Sequence, residues 1–332
     1  MSKIDSSTKR KYLRYAAIAL AVVFCLSAIL LVMALWEKNN SEYDYDYSGN
    51  FKETLEYNGE KYTARDDVEA MLLIGLDKLQ GVEDSTAYNN DKSADFLLLL
   101  VFDNTNKTCK GIQINRDTIA EMNVLGVAGD KIGSVKQQIA LSHTYGNGKE
   151  VSCRNTVDSV SELLYGVNIK HYLSVTMEAV SIYNDLVGGV PVTVLDDFTG
   201  IDETLVKGEK TVLYGEHALT YVRGRYGVGD NTNINRMKRQ RQYVESLYAQ
   251  TQSAAEKNER FQLDAISKLS EYTVSDCTVN QMQTIFEKFS TYEFGGITEI
   301  KGESIVGEQF MEFYPSDASM KSAVIELFYK KD

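Results

Sequence analysis

The 332-residue sequence predicts an α/β domain of three-layer α-β-α type, with a mixed central sheet, preceded by one transmembrane helix. Three observations predict it. Tyr15–Trp36 is a 22-residue run without a charge, long enough to span a bilayer with some tilt. Three apolar runs of strand length follow from residue 67 onward, each bounded by charged residues. Beyond them, strand-like and helix-like segments alternate loosely, which places helices on both faces of a sheet.

Lys3, Lys9, Arg10, Lys11 and Arg14 precede the apolar run, and Glu37, Glu42, Asp44 and Asp46 follow it. The positive-inside bias makes 1–14 a cytoplasmic basic tail, 15–36 the membrane helix, and everything later extracellular. No A-x-A site follows the run, so it reads as a retained single-pass anchor rather than a cleaved signal. Residues 37–66, polar and rich in Tyr, Asp and Asn, read as a stalk. Residues 67–250 form the expected main globular domain, and 251–332 a C-terminal extension packed on it or continuing it.

The chain has 47 acidic residues against 35 Lys and Arg. Residues 1–36 hold five Lys/Arg against one Asp, so the other 296 carry a net −16. That charge excludes nucleic-acid binding by bulk electrostatics and makes any anion affinity local. Cys25 lies in the apolar run, leaving Cys109, Cys153 and Cys277 outside, enough for at most one bridge and without the C-x-x-C spacing of a zinc site. His143, His171 and His217 are scattered and read as structural or surface residues.

VEAMLLIGLD, from Val68 to Asp77, reads as a buried strand. Asp95–Asp103 is a second, and Lys110–Asn115 a third, ending in Arg116-Asp117-Thr118. If the first two are antiparallel neighbours, Asp77 and Asp95 share one sheet edge. Two carboxylates there repel unless hydrogen-bonded, protonated or bridged by a cation. An oxygen-only pair suits magnesium, while the plainer reading is that both acids punctuate strands. From Lys131 the segment SVKQQIALSHTYG reads as a helix closed by Gly146, and Asn155–Tyr165 as another. Ile169–Val175 is strand-like, Met177–Val187 a helix stopped by Gly188-Gly189, and Val190–Leu195 a strand with Pro191 at an edge position. A helical turn is expected at Glu216–Tyr221. Later come a helix at Val279–Ser290, a strand at Ile297–Val306 and a helix at Ser316–Tyr329.

The most distinctive stretch is YVRGRYGVGDNTNINRMKRQ, Tyr221–Gln240. From Arg223 to Arg241 six basic residues face a single acid, Asp230. Guanidinium groups concentrated in an acidic chain ask for an anion with paired oxygens. With Val222–Arg225 extended, Arg223 and Arg225 project to one side. A helix then runs to about Gln250, placing Arg236 and Gln240 one turn apart, Gln240 inside the apolar stripe and Arg239 nearer solvent. The competing reading is a basic surface face.

These pieces, in their order, resemble the LytR-CpsA-Psr family: LLIGLD, SADFLLLLVFD, INRDT, LVGGVPVTV, LYGEHALTYVRGR and NRMKRQRQ, spread over about residues 67–250. Two departures stand out. Gln113-Ile114-Asn115 occupies the place of a common Ser-Ile-Pro. Asn233-Ile234-Asn235-Arg236 replaces a common Asp-x-Gly-Arg, which opens the missing acid's role to Asp230. The resemblance implies an α-β-α fold with a polyprenyl chain buried beside the sheet. It further implies transfer of a phosphoglycosyl polymer, such as a teichoic acid or capsule, from an undecaprenyl-pyrophosphate carrier to a peptidoglycan hydroxyl. Carried over residue by residue, Asp77 and Asp95 match the acids near Mg2+, and Arg116, Arg223, Arg225, Arg236 and Gln240 the pyrophosphate-binding set. Asp95 or Asp117 would accept the hydroxyl's proton, with Asp117 pairing an arginine as the favoured role. The alternatives are a non-catalytic envelope regulator or wall-binding protein, and a lipid-pyrophosphate phosphatase using the same site.

Overall fold

The computed structural model describes residues 51–78 and 90–332. The expected cytoplasmic tail and membrane helix lie outside the described residues, among which no helix is long and apolar enough to cross a membrane.

The centre is a six-stranded mixed sheet. Its three middle strands are β3 (Val68–Leu76), β4 (Ala94–Asp103) and β5 (Thr108–Ile114), successively antiparallel, which meets the condition set for the first two. β8 (His171–Val175) runs parallel to β3 on one flank and is bordered by β11 (Thr273–Ser275). β12 (Glu293–Glu299) closes the other flank parallel to β5, giving the order β11-β8-β3-β4-β5-β12. Leu97, Leu99 and Val101 of β4 face one side and Leu98, Leu100 and Phe102 the other, so both faces of this strand are covered.

On the first face, α1 (Glu150–Leu163) and α7 (Asp317–Phe328) pack Val157, Val160, Val324 and Leu327 against Leu72, Ile74 and Leu99. On the second, α4 (Asn233–Lys257) and α6 (Val279–Thr291) bring Tyr248, Ile285 and Phe289 onto Leu98, Leu100 and Phe102. A third cluster joins α2 (Met177–Leu186), α3 (Gly215–Arg223), the start of α5 (Phe261–Leu269), and the hairpin of β9 (Val190–Thr193) and β10 (Lys210–Leu213) to α4. This is the expected three-layer arrangement.

Two segments in the first half of the chain differ from the sequence reading. Lys131–Gln138 is not helical but a strand, β7, hairpinned with β6 (Ile119–Leu125). Only Ile139–Thr144 after it winds, as a 3-10 turn. The β-branched Ile132 and Val135 favour extended backbone, Gly133 disfavours a helix, and IAEMNVL supplies the partner. The outer half of the expected stalk is structured: β1 (Thr54–Tyr57) and β2 (Glu60–Ala64) fold over Asn58-Gly59, both at positive φ, as a two-residue hairpin turn requires. Phe51, Leu55, Tyr57 and Tyr62 pack on the first-face core, so the domain starts before residue 67. The extension 251–332 continues the domain, supplying β11 and β12 to the central sheet and the hairpin of β13 (Gly302–Val306) and β14 (Met311–Pro315). Cys109, Cys153 and Cys277 are all free thiols.

Candidate functional site

The β3–β4 register sets the site. Leu76 pairs with Ala94 across a bulge, and the Asp77 amide donates to the Ser93 carbonyl (3.1 Å). Asp77 and Asp95 therefore stand at one sheet edge, as the antiparallel expectation required. β5 ends at the same edge and delivers Arg116 and Asp117. All four residues line a polar cleft of about 890 Å³, together with Arg223, Arg225 and Arg236.

Within it the charges interlock. Arg116 Nη1 donates to Asp95 Oδ1 at 2.6 Å, and Arg236 Nη1 lies 3.5 Å from Asp95 Oδ2. Ser93 Oγ donates to the same Oδ1 at 2.8 Å. Arg223 Nη2 reaches Asp77 Oδ1 at 3.3 Å. Arg116 Nε sits 3.6 Å from Asp117 Oδ1, which accepts from Gln138 Nε2 at 3.1 Å. Asp117 is buried, and that burial pushes its carboxyl pKa up against the pull of Arg116, Arg225 and Arg236. Arg236 is only 6% exposed; burial pushes its pKa down, Asp95 opposes this, and Arg116 and Arg225 reinforce it. Two buried guanidinium nitrogens, Arg116 Nε and Arg236 Nη2, have no hydrogen-bond partner. Donors left unmade beside like charges are what an incoming anion would satisfy.

The arginines come from an arrangement the sequence reading had partly wrong. Val222 and Arg223 end α3 rather than lying in an extended segment, and only Gly224 and Arg225 leave it. Arg223 and Arg225 still reach one cleft, because Gly224 breaks the helix between them. Arg239, expected nearer solvent, is fully buried at 0% exposure. It ion-pairs with Asp196, donates to the Gly224 carbonyl, and donates from Nε to the Tyr221 carbonyl at 2.9 Å. α4 is covered on this side by the third cluster, which no local apolar spacing around residue 239 reveals. Gln240 is buried but does not open onto the polar cleft: its Nε2 donates to the Val222 carbonyl (3.2 Å) and its Oε1 accepts from Gln113 (3.1 Å).

Asp230 does not replace the missing acid. It lies outside the cleft and accepts from the Thr232 amide at 2.9 Å and hydroxyl at 2.6 Å. These bonds hold its pKa below the usual carboxylate range and order the turn into α4, whose N-cap is Thr232. At the missing acid's own position, Asn233 Oδ1 accepts from Arg236 Nε (3.0 Å), while its Nδ2 donates to Asn115 Oδ1 (2.8 Å). Asn115 Oδ1 also takes the Asp117 amide at 2.9 Å. The two departures from the family pattern thus form a hydrogen-bonded pair.

The C-terminal extension also reaches the site: Val306–Met311, the tip of the β13–β14 hairpin, forms one wall of the cleft. It is tied there by the Phe313 amide on the Asp117 carbonyl (2.8 Å) and by Gln138 Nε2 on the Met311 carbonyl (2.7 Å). Nothing in its local sequence signals this. Behind the cleft lies an apolar cavity of about 330 Å³ between the second face of the sheet and α2, α4 and α6, lined by Leu73, Phe96, Leu173, Val180, Tyr243, Val244, Ile285 and Phe289. Asp95, Arg223 and Arg236 border both spaces.

Among proteins of known name, TagU of Bacillus licheniformis, a polyisoprenyl-teichoic acid–peptidoglycan teichoic acid transferase, is 29% identical over 250 residues, 74% of this chain and 72% of that one. TagV of Bacillus subtilis, of the same designation, is 27% identical over 250 residues, covering 72% of this chain and 60% of that one. In structure the fold is similar to TagT bound to LI-WTA (TM-score 0.59, 20% identity, 79% of this chain and 90% of that one). It is also similar to gbs0355 of Streptococcus agalactiae (TM-score 0.64, 18% identity, 79% and 86%). The profile of the LytR_cpsA_psr family matches residues 30–323, and with that span this chain belongs to the LytR-CpsA-Psr family.

Proposed function

We propose that this protein is a membrane-anchored, extracellular phosphotransferase that moves a teichoic-acid-like or capsule-like glycopolymer from an undecaprenyl-pyrophosphate carrier onto peptidoglycan. The observation that carries the reading is the shared border: a cluster of arginines with unsatisfied donors stands at the mouth of a cavity walled by hydrocarbon. A lipid diphosphate has that polarity, charged at one end and apolar along the other. The transferase designations of TagU and TagV support the same reading.

In this reading Arg116, Arg223, Arg225 and Arg236 hold the pyrophosphate oxygens, and Gln240, bonded to the Val222 carbonyl and to Gln113, braces the end of α3 rather than binding phosphate. The acceptor hydroxyl attacks the phosphorus that carries the glycan. The bond from that phosphorus to the bridging oxygen breaks, a phosphodiester forms, and lipid monophosphate leaves. Positioning and charge neutralisation suffice for such a transfer, without a protein nucleophile. Asp95, open to both spaces, takes the hydroxyl proton; Asp117, boxed in by Gln138 and Asn115, orients Arg116. Asp77 and Asp95 fit magnesium, since they offer only oxygens at one rim and Asp77 is 45% exposed in its side chain. Bound there, the ion would offset charge on the diphosphate.

The test combines the full chain in detergent, magnesium, a lipid-pyrophosphate-linked glycan and peptidoglycan oligomers. Phosphodiester-linked product together with lipid phosphate is expected. Lipid phosphate without linked product would assign hydrolysis instead, and neither product would remove the enzymatic reading. Native mass spectrometry of the purified protein should show a retained polyprenyl phosphate.

A further inference from the structure

At the other end of the sheet from the cleft, three potential ligand side chains meet. His171 opens β8 opposite Met71, some six residues down β3 from Asp77, roughly 20 Å away along an extended strand. Asp276 and Cys277 lie in the short link between β11 and α6. One ligand atom from each of the three lies within 4.8 Å of the others.

Their spacing is looser than direct hydrogen bonding. His171 Nδ1 lies 3.5 Å from Asp276 Oδ1, beyond the 2.7–2.9 Å typical of a charge-assisted hydrogen bond, and it has no hydrogen-bond partner. The residue is 8% exposed, so this is a buried nitrogen facing the cluster whose nearest partner, Asp276, lies beyond a good hydrogen bond. Cys277 Sγ lies 3.8 Å from the same carboxylate oxygen. A tetrahedral zinc ion, with bonds of about 2.0–2.3 Å, sets its nitrogen, oxygen and sulfur ligands roughly 3.3–3.6 Å apart. Both separations come close to that. The carboxylate is also held in place from behind, because the Tyr172 amide donates to Asp276 Oδ1 at 3.1 Å. Backbone support of this kind orients a ligand before the metal arrives.

We propose that His171, Asp276 and Cys277 form a second metal site, for a borderline-soft divalent cation of the zinc class, separate from the oxygen-only pair at the cleft. Charge favours it: one thiolate and one carboxylate balance a divalent ion, and the imidazole adds a neutral donor. The fourth position goes to water. The site fastens the link ahead of α6 to β8, and α6 is a wall of the apolar cavity through Ile285 and Phe289. Its role is to clamp that wall to the sheet, and it does not depend on the transferase reading.

The full chain is freed of metal with chelator and titrated with Co2+, then with Zn2+. Wild type is expected to give a near-ultraviolet thiolate-to-cobalt charge-transfer band at one equivalent, displaced by zinc, and a zinc-dependent rise in Tm. Cys277→Ser should abolish the band, and His171→Asn should weaken zinc binding by at least about tenfold. Each variant is compared with itself with and without zinc, so a lower basal stability does not obscure the outcome. Asp95→Asn should leave the band intact. Absence of the band, or a band that survives Cys277→Ser, overturns the proposal.

Discussion

Arg239→Met tests how the arginines of the cleft are held. The guanidinium is fully buried and meets three acceptors at once: the Asp196 carboxylate and the carbonyls of Tyr221 and Gly224. Its charge also lies over the Phe198 ring, 5.4 Å from the centroid. The two carbonyls flank Arg223 and precede Arg225, so Arg239 is a positioning residue for both. Methionine keeps most of the volume but strands a buried carboxylate and two carbonyls. Removing one partner of a buried pair costs about 3–5 kcal/mol. At about 2–4 °C per kcal/mol for a domain of this size, the expected fall in Tm is on the order of 10 °C. Lysine, a single compact charge, cannot serve three separated acceptors and should recover only part of the loss. Urea unfolding of wild type, Arg239→Met, Asp196→Asn and the double variant measures the coupling. A single variant within about 1 kcal/mol of wild type, or strict additivity in the double, would refute this account of the anchor.

Other outcomes follow from the same geometry. Arg223→Ala should weaken lipid-pyrophosphate binding roughly tenfold to a hundredfold, from the loss of hydrogen bonds to a charged group, as read by competition with a labelled donor; unchanged affinity would favour a mere surface patch. Asp77→Ala should lower the response of transfer rate to magnesium, and identical magnesium titrations for variant and wild type would remove Asp77 from the metal site. Leu173→Trp should fill the apolar cavity and reduce co-purified polyprenyl phosphate in native mass spectra while the fold persists. Burial lowers the His143 pKa to about 4, against the hydrogen bond from Nδ1 to the Lys92 carbonyl (2.9 Å). The folded state therefore takes up its proton later than the unfolded chain, whose histidine titrates near 6.5. Stability from this residue is complete above about pH 6.5 and falls by roughly 3 kcal/mol as pH drops to about 4, a slope that urea titrations should find absent in His143→Asn.

The central strands were legible because both faces are buried, so continuous apolar runs such as DFLLLLVFD carry the signal unaided. Charge did the same for much of the site: Asp77, Asp95, Arg223, Arg225 and Arg236 were named from composition and spacing, Arg116 from the family resemblance, and all six meet in one cleft. What local sequence hides is the second neighbour of an element. Arg239 reads as outward on its own helix, and only the packing of the β9–β10 region against α4 makes it interior. β7 needed a partner strand, β6, that lacks a strong pattern of its own. The hairpin tip at Val306–Met311 reaches the cleft through bonds to Asp117 and Gln138, residues nearly 200 positions earlier. Asn115 and Asn233 are unremarkable alone and explain each other only when found in contact.

The small sheet at the domain's margin has a temporal consequence. β2 is paired on one side by β1 and on the other by Tyr329–Lys331, with the Tyr329 hydroxyl donating to the Lys52 carbonyl at 2.8 Å. The earliest strands of the domain thus remain half-finished until residues some 265 positions later have been synthesised. A chain truncated before Tyr329 should expose an unzipped β2 edge to proteases, and the arrival of that strand would act as the latch.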